Sequence, residues 1–328
     1  MVSPRASLGD AAFRRKDLMG SSIEASYAGA LSFMRRKYSR NLNGVDVAVT
    51  GIPFDQAVTN RPGTRFGPQA IRAASAQHSW GPVWPWRFDP FETLAVVDYG
   101  DCFFDWGRKQ DVPKAIEKHI AGIVSKGVCP LTFGGDHYIT YPVLKAVAKV
   151  HGPVGIVQFD AHRDVEPNAT PARIDHGSMF SLALQEGLID PARSVQVGIR
   201  TCFNGEDSMG MQVLFADQVH AMSAAEVAAA IRKRLGKGPS YLTFDIDFLD
   251  PATAPGTGTP VPGGFTSYQA LSILRELKGV DFCGMDVVEV SPPYDHAELT
   301  ANAAATIAGE LLCLKAWVRG ARPEEMTG

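Results

Sequence analysis

The chain has 328 residues, with 45% hydrophobic and 20% charged positions, which is enough for one large α/β domain or two smaller ones around a sizeable core. Its 32 basic and 35 acidic residues nearly cancel, for a formal net charge of −3. With no long single-sign run, a nucleic-acid surface and an anionic-membrane surface are both excluded as expectations.

Residues 1–43 are mixed in character and predict a poorly ordered start followed by a peripheral helix or arm. The basic cluster Arg35-Arg36-Lys37 reads as a solvated face, and residues 1–10 lack the apolar stretch of a secretory leader. Val45 to Ile52 is the first strand, ended by Pro53. Asn60 to Arg72 is a Gly/Pro turn running into a helix with Pro68 in its first turn. Residues 79–93, rich in Trp, Pro and Phe, have no period; they fit packing under a loop and a subunit contact or pocket rim equally. Leu94–Asp98 is a strand, 113–126 a helix, Val128 opens a second buried strand, and a helix follows from Tyr141 to Val150. Another strand opens at Val154, a polar loop spans 165–175, and Met179–Glu186 is helical. Val195–Arg200 is a strand. Ser223 with Glu226 and Thr266 with Gln269 form capping boxes for helices ending at Leu235 and Leu277. Strands start at Tyr241 and Phe282, and a final helix runs from Thr300 to Trp317. Residues 301–318 are apolar but carry Glu310 and Lys315, so they read as a buried helix and not a membrane span. Strands alternating with helices predict a parallel sheet covered on both faces. With no linker and no repeat, the expected division is an arm over 1–43, one domain over 44–320 and a tail over 321–328. Five Cys, at 102, 129, 202, 283 and 313, are odd in number and lack a C-x-x-C pair, which points to reduced thiols in the cytoplasm.

The chemistry concentrates where three apolar strands end. Val154-Gly-Ile-Val-Gln-Phe-Asp160-Ala-His162-Arg-Asp164 closes on three potential ligands at alternate positions, which an extended path turns to one side. Read alone, it could also be an ordinary loop with solvated Asp residues. Val128 to His137 ends in Gly134-Gly135-Asp136-His137, and Tyr241 to Pro251 carries Asp245 and Asp247 at i and i+2. Ligand sites of open parallel sheets lie outside the carboxyl ends of strands. Three neighbouring ends would pool His137, Asp160, His162, Asp164, Asp245 and Asp247, a set too large for one zinc and suited to a two-metal cluster. Asp136 should point away from its neighbour His137, and Asp250-Pro251 reads as a turn, so neither is expected to ligate. Gly256-Thr-Gly-Thr259 lacks the Lys and helix of a phosphate loop, and no nucleophile elbow occurs.

In this order, FGGDH (133–137), FDAHRD (159–164) and TFDIDFLDP (243–251) resemble the three signatures of the ureohydrolases, the arginases, agmatinases and related amidinohydrolases. The resemblance spans Asp46 to Trp317 and extends to Asn60–Pro68, Asp175–Phe180, Pro255–Pro260 and Met285–Pro292. Asp-His-Gly-Ser-Met-Phe and Pro85-Trp-Arg-Phe-Asp89 are most similar to bacterial agmatinases. The resemblance implies a three-layer αβα sandwich around a mostly parallel eight-stranded sheet and, as cofactor, two Mn2+ per chain. One ion would take His137, Asp160, Asp164 and Asp245; the other His162, Asp160, Asp245 and Asp247. It further implies Glu289 as the guanidinium-binding carboxylate, His176 as the proton shuttle, and Asp164 and Asp247 as partners of the attacking water. A homo-oligomer, trimer or hexamer, is expected.

The implied reaction is release of urea from a guanidino compound, most of all agmatine. The alternatives are a guanidino-acid hydrolase acting on 4-guanidinobutanoate or 3-guanidinopropanoate, and a metal-binding homologue without turnover. Discrimination falls to the far end of the pocket. In the loop 165–175, Glu166 and Asp175 would favour an amine, while Arg173, with Arg163 just before the loop, would favour a carboxylate. Arg163 stands where the family often has a small residue; its side chain should point away from the ligands, beside the pocket wall. Thr257 and Thr259 are expected to cap backbone groups. The histidines at 78, 119, 151, 220 and 296 are expected at the surface.

Overall fold

The structure, a computed structural model, describes residues 25–79, 81–167, 169–202 and 208–323. The expected disordered start up to residue 24, Trp80 in the aromatic segment, Asn168 in the polar loop and the tail from residue 324 lie outside the described residues.

Nine strands form one sheet: β1 (Lys37–Tyr38), β2 (Val47–Ile52), β3 (Val96–Asp101), β4 (Cys129–Gly134), β5 (Gly155–Phe159), β6 (Val195–Ile199), β7 (Gln212–Phe215), β8 (Ser240–Asp245) and β9 (Phe282–Val288). Their order is β1-β3-β2-β4-β9-β8-β5-β6-β7, and every adjacent pair is parallel. The helices are α1 (Gly67–Ser75), α2 (Pro90–Thr93), α3 (Val112–Val124), α4 (Thr140–His151), α5 (Met179–Gln185), α6 (Ala216–His220), α7 (Ala224–Leu235), α8 (Ser267–Glu276) and α9 (Leu299–Val318). The strands alternate between two apolar layers, as their two-residue period demands. Val47, Val49, Val157, Phe159, Leu242 and Phe244 face the layer containing α1, α7, α8 and α9. Ala48, Ile156 and Tyr241 face α3, α4 and α5. Both capping boxes form, Ser223 accepting from Glu226 N and Thr266 from Gln269 N. Burial of α9 on nearly every side explains its apolar sequence; its Glu310 is paired with Arg275, and Trp86 Nε1 donates to the same carboxylate. Among the described residues no helix is long and apolar enough to cross a membrane.

The αβα sandwich is as expected, with nine strands where the resemblance implied eight; two of the nine were not read from the sequence. Lys37–Tyr38 and Gln212–Phe215 are short edge strands, too brief to give a periodic signal. Of the basic cluster, Lys37 in β1 is exposed as expected, but Arg35 and Arg36 are not a solvated face. Phe33 and Met34 are buried, and their amides bond Asp98 Oδ2 at 2.8 Å and Ser75 Oγ at 2.7 Å. Arg35 is itself buried, donating to the carbonyls of Ala25, Ala28 and Ala30, and Arg36 stacks 3.9 Å over Phe91. His119 also departs from a surface position: it sits 2.7 Å from Thr50 Oγ1 and against Tyr99, and burial, aided by Arg40, lowers it to about 4. In the aromatic segment, Trp86 and Phe88 pack on Trp317 of α9, while Trp84 is exposed. All five cysteines are free thiols.

Candidate active site

Four adjacent strands, β4, β9, β8 and β5, end at one place. The three ends expected to be neighbours are not contiguous: β9 separates β4 from β8, which brings Glu289 into the centre between His137 and Asp245. The approach of β4 to its flanks demands Gly135. A Cβ there would lie 1.9 Å from Phe54 O, so no side chain fits. His137 then opens the turn into α4.

His137 Nδ1 lies 3.1 Å from Asp160 Oδ2, 3.0 Å from Asp164 Oδ2 and 3.2 Å from Asp245 Oδ2. His162 Nδ1 lies 3.0 Å from Asp247 Oδ2 and 3.6 Å from Asp160 Oδ1. All six predicted ligands are therefore brought together. Backbone and side-chain donors aim the carboxylates. Asp245 Oδ1 accepts from Asp247 N, Asp247 Oδ1 from Ala161 N, and Asp160 Oδ1 from His162 N, at 2.8, 3.1 and 2.7 Å. Asp136 is not among them: its Oδ2 accepts from Ala57 N, facing away, as expected. Asp250 caps Ala252, Gly263 and Gly264.

The electrostatics are those of a cluster that lacks positive charge. Asp164 is pushed up to about 6 by burial and then by Asp160, with His137 opposing. Burial, Asp247 and Asp160 raise Asp245 well above the carboxylate range. His162, which burial alone would lower, is pulled up to about 12 by Asp247 and Asp160. Such shifts mark groups competing for too few protons. Although three carboxylate oxygens crowd His137 Nδ1, none meets it with hydrogen-bond geometry, and the atom is buried. A lone pair surrounded by carboxylate oxygens is a donor set for a cation, and four carboxylates with two neutral imidazoles balance two divalent ions. Oxygen-rich, with two nitrogens, the set suits manganese, which harder oxygen ligands favour. The residues fit the implied metals.

Beside the cluster, Glu289 Oε1 accepts from His137 N at 2.8 Å and lies 2.8 Å from His176 Nδ1, while its Oε2 is buried without a hydrogen bond. Burial alone would lower His176, but Glu289, then Asp164 and Asp136, pull it up to about 9. Thr59 opposes this. Its backbone N–H points at His176 Nε2 over 3.1 Å, and its hydroxyl lies 2.9 Å away. Two N–H groups cannot share that line, so this arrangement holds His176 neutral, with its proton on Nδ1 towards Glu289. A second proton on Nε2 requires the Thr59 amide to turn away. Asp164 and Glu289 both have left-handed backbones, at φ 55° and 65°. For a long side chain such as Glu this is strained by about 1–3 kcal/mol, and such strain collects at working sites.

A cavity of about 80 Å3 opens over the cluster, lined by Thr59, His162, Asp164, Glu166, His176, Gly177, Asp245 and Thr259. Of the four charged residues considered for reading the substrate tail, only Glu166 lines it. Asp175 is buried, caps Gly177 N at 2.9 Å and takes Arg173 Nε at 2.7 Å. The Arg173 guanidinium thus leans on Asp175, 3.8 Å from Glu166 Oε2. Arg163 is half-buried beside the cluster, its carbonyl accepting from Gln196. The threonines are not backbone caps. Thr259 Oγ1 reaches Asp247 Oδ2 at 3.5 Å, and Thr257 Oγ1 is buried without a bond.

Sequence reasoning missed Thr59, Gln158, Gln196, Thr243 and Asp286. Gln158 Nε2 supports Asp160 Oδ2 at 2.7 Å, Gln196 supports Gln158 at 2.6 Å, and Thr243 Oγ1 lies 2.8 Å from His137 Nε2. Gln158 and Thr243 had a legible signal. Each is a polar residue in an apolar strand, two positions before a ligand and so on the ligand's side of the sheet. Thr59 had none.

A family model, described as the arginase family, matches residues 45–313. The agmatinase of Chromobacterium violaceum is 57% identical over 307 residues, covering 93% of this chain and 95% of that protein. The crystal structure of a hypothetical agmatinase from Burkholderia thailandensis superposes with a TM-score of 0.89 at 53% identity, over 94% of this chain and 98% of that one. Proclavaminate amidino hydrolase from Streptomyces clavuligerus gives a TM-score of 0.85 at 38% identity, over 90% of this chain and all of that one.

Proposed function

This chain belongs to the arginase family, and we propose that it is an agmatine ureohydrolase, cleaving agmatine and water to putrescine and urea. The observation that carries this reading is the distribution of charge along the cavity. A cation-demanding cluster lies at the floor, the Glu289–His176 pair beside it, and Glu166 on the wall. A molecule positive at both ends matches acids at both ends.

His137, Asp160, Asp164 and Asp245 would hold one Mn2+, and His162, Asp160, Asp245 and Asp247 the other. When bound, two such ions would neutralise the carboxylates and lower the pKa of a bound water towards neutrality. The chain does the rest. Glu289 Oε1 is anchored by the His137 amide and the His176 ring, leaving Oε2 to accept guanidinium N–H groups and hold the carbon over the floor. Asp164 and Asp247 orient the attacking water by accepting its hydrogen bonds. As water adds to the guanidinium carbon, the bond from that carbon to the alkyl nitrogen breaks. His176 Nε2, freed from the Thr59 amide, takes up the proton that the adding water releases and passes it to the departing amine. Glu166 accepts the far ammonium. Arg173, tied to Asp175, leaves that contact available to an amine and not to a carboxylate.

The test is a panel with urea as the common readout: agmatine, 4-guanidinobutanoate, 3-guanidinopropanoate and arginine. Agmatine should have the highest kcat/KM and arginine very little. A guanidino acid preferred tenfold or more would overturn the assignment and make Arg173 or Arg163 the reader. No urea from any of them would favour a metal-binding homologue without turnover. The reading includes a cytoplasmic trimer or hexamer, which light scattering on the purified protein checks for mass.

A further inference from the structure

Asp286 is a carboxylate deep inside the protein, in β9 and fully buried. Its partners among the described residues are hydroxyls: Thr140 Oγ1 donates to its Oδ2 at 2.9 Å and Tyr241 Oη at 2.7 Å. Thr243 is the register partner of Asp286 across β8 and β9, and the carboxylate's Oδ1 is buried without a hydrogen bond. Buried Asp98, by contrast, is met directly by the Arg72 guanidinium.

Thr243 joins Asp286 to the candidate metal cluster, because its Oγ1 also lies 2.8 Å from His137 Nε2. A carboxylate only accepts, so towards its register partner Asp286 the one thing Thr243 has to offer is its single hydroxyl proton. The hydroxyl oxygen then presents a lone pair to His137, and His137 must donate from Nε2. That places the ring's own lone pair on Nδ1, among Asp160, Asp164 and Asp245. Phe180, edge-on to the His137 ring at 5.4 Å and 82°, limits its rotation. A histidine whose far nitrogen is hydrogen-bonded in this way is oriented for a metal and made more basic.

We propose that Thr243 and Asp286 are the positioning pair for the cation at His137: they fix the imidazole proton on Nε2 and keep a buried counter-charge behind the ring. This rests on the two-cation reading above. It assigns Asp286 a purpose that core packing does not, since a neutral residue would pack there without an uncompensated charge.

The experiment strips the full-length chain with a chelator and titrates it with Mn2+ by calorimetry, with elemental analysis for stoichiometry. Wild type should take up two ions. Thr243→Val should keep one ion and bind the other about 10- to 100-fold more weakly, and Thr243→Ser should restore it. Asp286→Asn should weaken the same ion without lowering the melting temperature of the metal-free chain. A packing residue would not separate those two readouts. Wild-type affinity for both ions in folded Thr243→Val overturns the proposal. So does an Asp286→Asn variant that melts lower by the same amount with and without Mn2+. A wild-type chain that takes up no Mn2+ is a different result: it overturns the two-cation reading itself, and the pair with it, before any variant is examined.

Discussion

Two clusters of acids lie in this sheet, one of buried Asp98 with partly exposed Asp101 and one buried throughout, and the chain treats them in opposite ways. At β3, Asp98 and Asp101 receive the guanidinium of Arg72 at 2.8 and 2.7 Å. Asp98 accepts in addition from the Phe33 and Gly100 amides. At the ends of β5 and β8, Asp160, Asp164, Asp245 and Asp247 gather around two histidines and, among the described residues, form no ion pair with an Arg or Lys side chain. Both clusters are costly to bury. The first brings its own cation and is thereby closed, a structural knot that ties β3 to α1 and the N-terminal turn. The second leaves its charge uncompensated and so depends on cations from outside. The number of buried acids is therefore a poor guide to function; the count left without internal cations is the better one.

The largest test of that contrast is Asp160→Asn or Asp245→Asn. Each should remove bound metal and activity together, by more than the roughly 100-fold typical of groups that merely support a ligand. Elemental analysis and urea release read the two quantities, and full metal content with no activity would count against the ligand assignment. Arg72→Met should do the reverse. Leaving Asp98 without its partner should lower unfolding free energy by about 3–5 kcal/mol, while kcat per folded, metal-loaded chain stays near wild type. Urea denaturation beside a turnover assay separates these, and lost turnover in fully folded protein would make the knot part of the site.

Glu289→Gln sharpens the boundary of the second cluster. It should retain both ions yet lower kcat/KM about 30- to 5,000-fold, the loss expected from removing about 2–5 kcal/mol of charge-assisted contact. Near-normal turnover would mean another group holds the guanidinium.

The smallest effect is on stability against pH. In the metal-free chain the folded Asp164 titrates near 6, above its unfolded value of about 3.9. The folded state then binds more protons between those values, so the stability from this group is full below about 4 and lost as pH rises through 6, at most about 3 kcal/mol. Once cations bind, protons compete with them and the trend reverses. Melting curves of the chelated and Mn2+-loaded protein from pH 4 to 8 should therefore slope oppositely. Parallel slopes would mean that the cluster needs no cation.

Much of the site could be read in the sequence because its information is local. The extended path expected to align the ligands does not occur: β5 ends at Phe159, Asp164 is left-handed at φ 55°, and Asp247 lies in the Ile246–Phe248 turn that Asp245 caps. Legible all the same are the ligand types and their spacing, which stand whatever the rest of the chain does. The same holds for Gly135 before His137, and for the capping boxes at Ser223 and Thr266.

What tertiary structure alone decided is which ends meet and what stands behind them. The insertion of β9 between β4 and β8 is a matter of crossover connections, to which no local pattern responds. It alone joins Glu289 to the His137 amide across 152 positions and to His176 across 113. Thr59, which sets the tautomer of His176, reaches it from an unremarkable loop 117 positions away. The division of the acids in the 165–175 loop was likewise invisible, because the choice of Arg173 for Asp175 depends on side-chain packing rather than spacing. The sequence by itself determined the candidate ligands, since their types and spacing recur where three apolar runs end; only the folded sheet and the turns beyond its strands determined how they are aimed and what partners they meet, since hydrogen bonds between distant segments follow strand order.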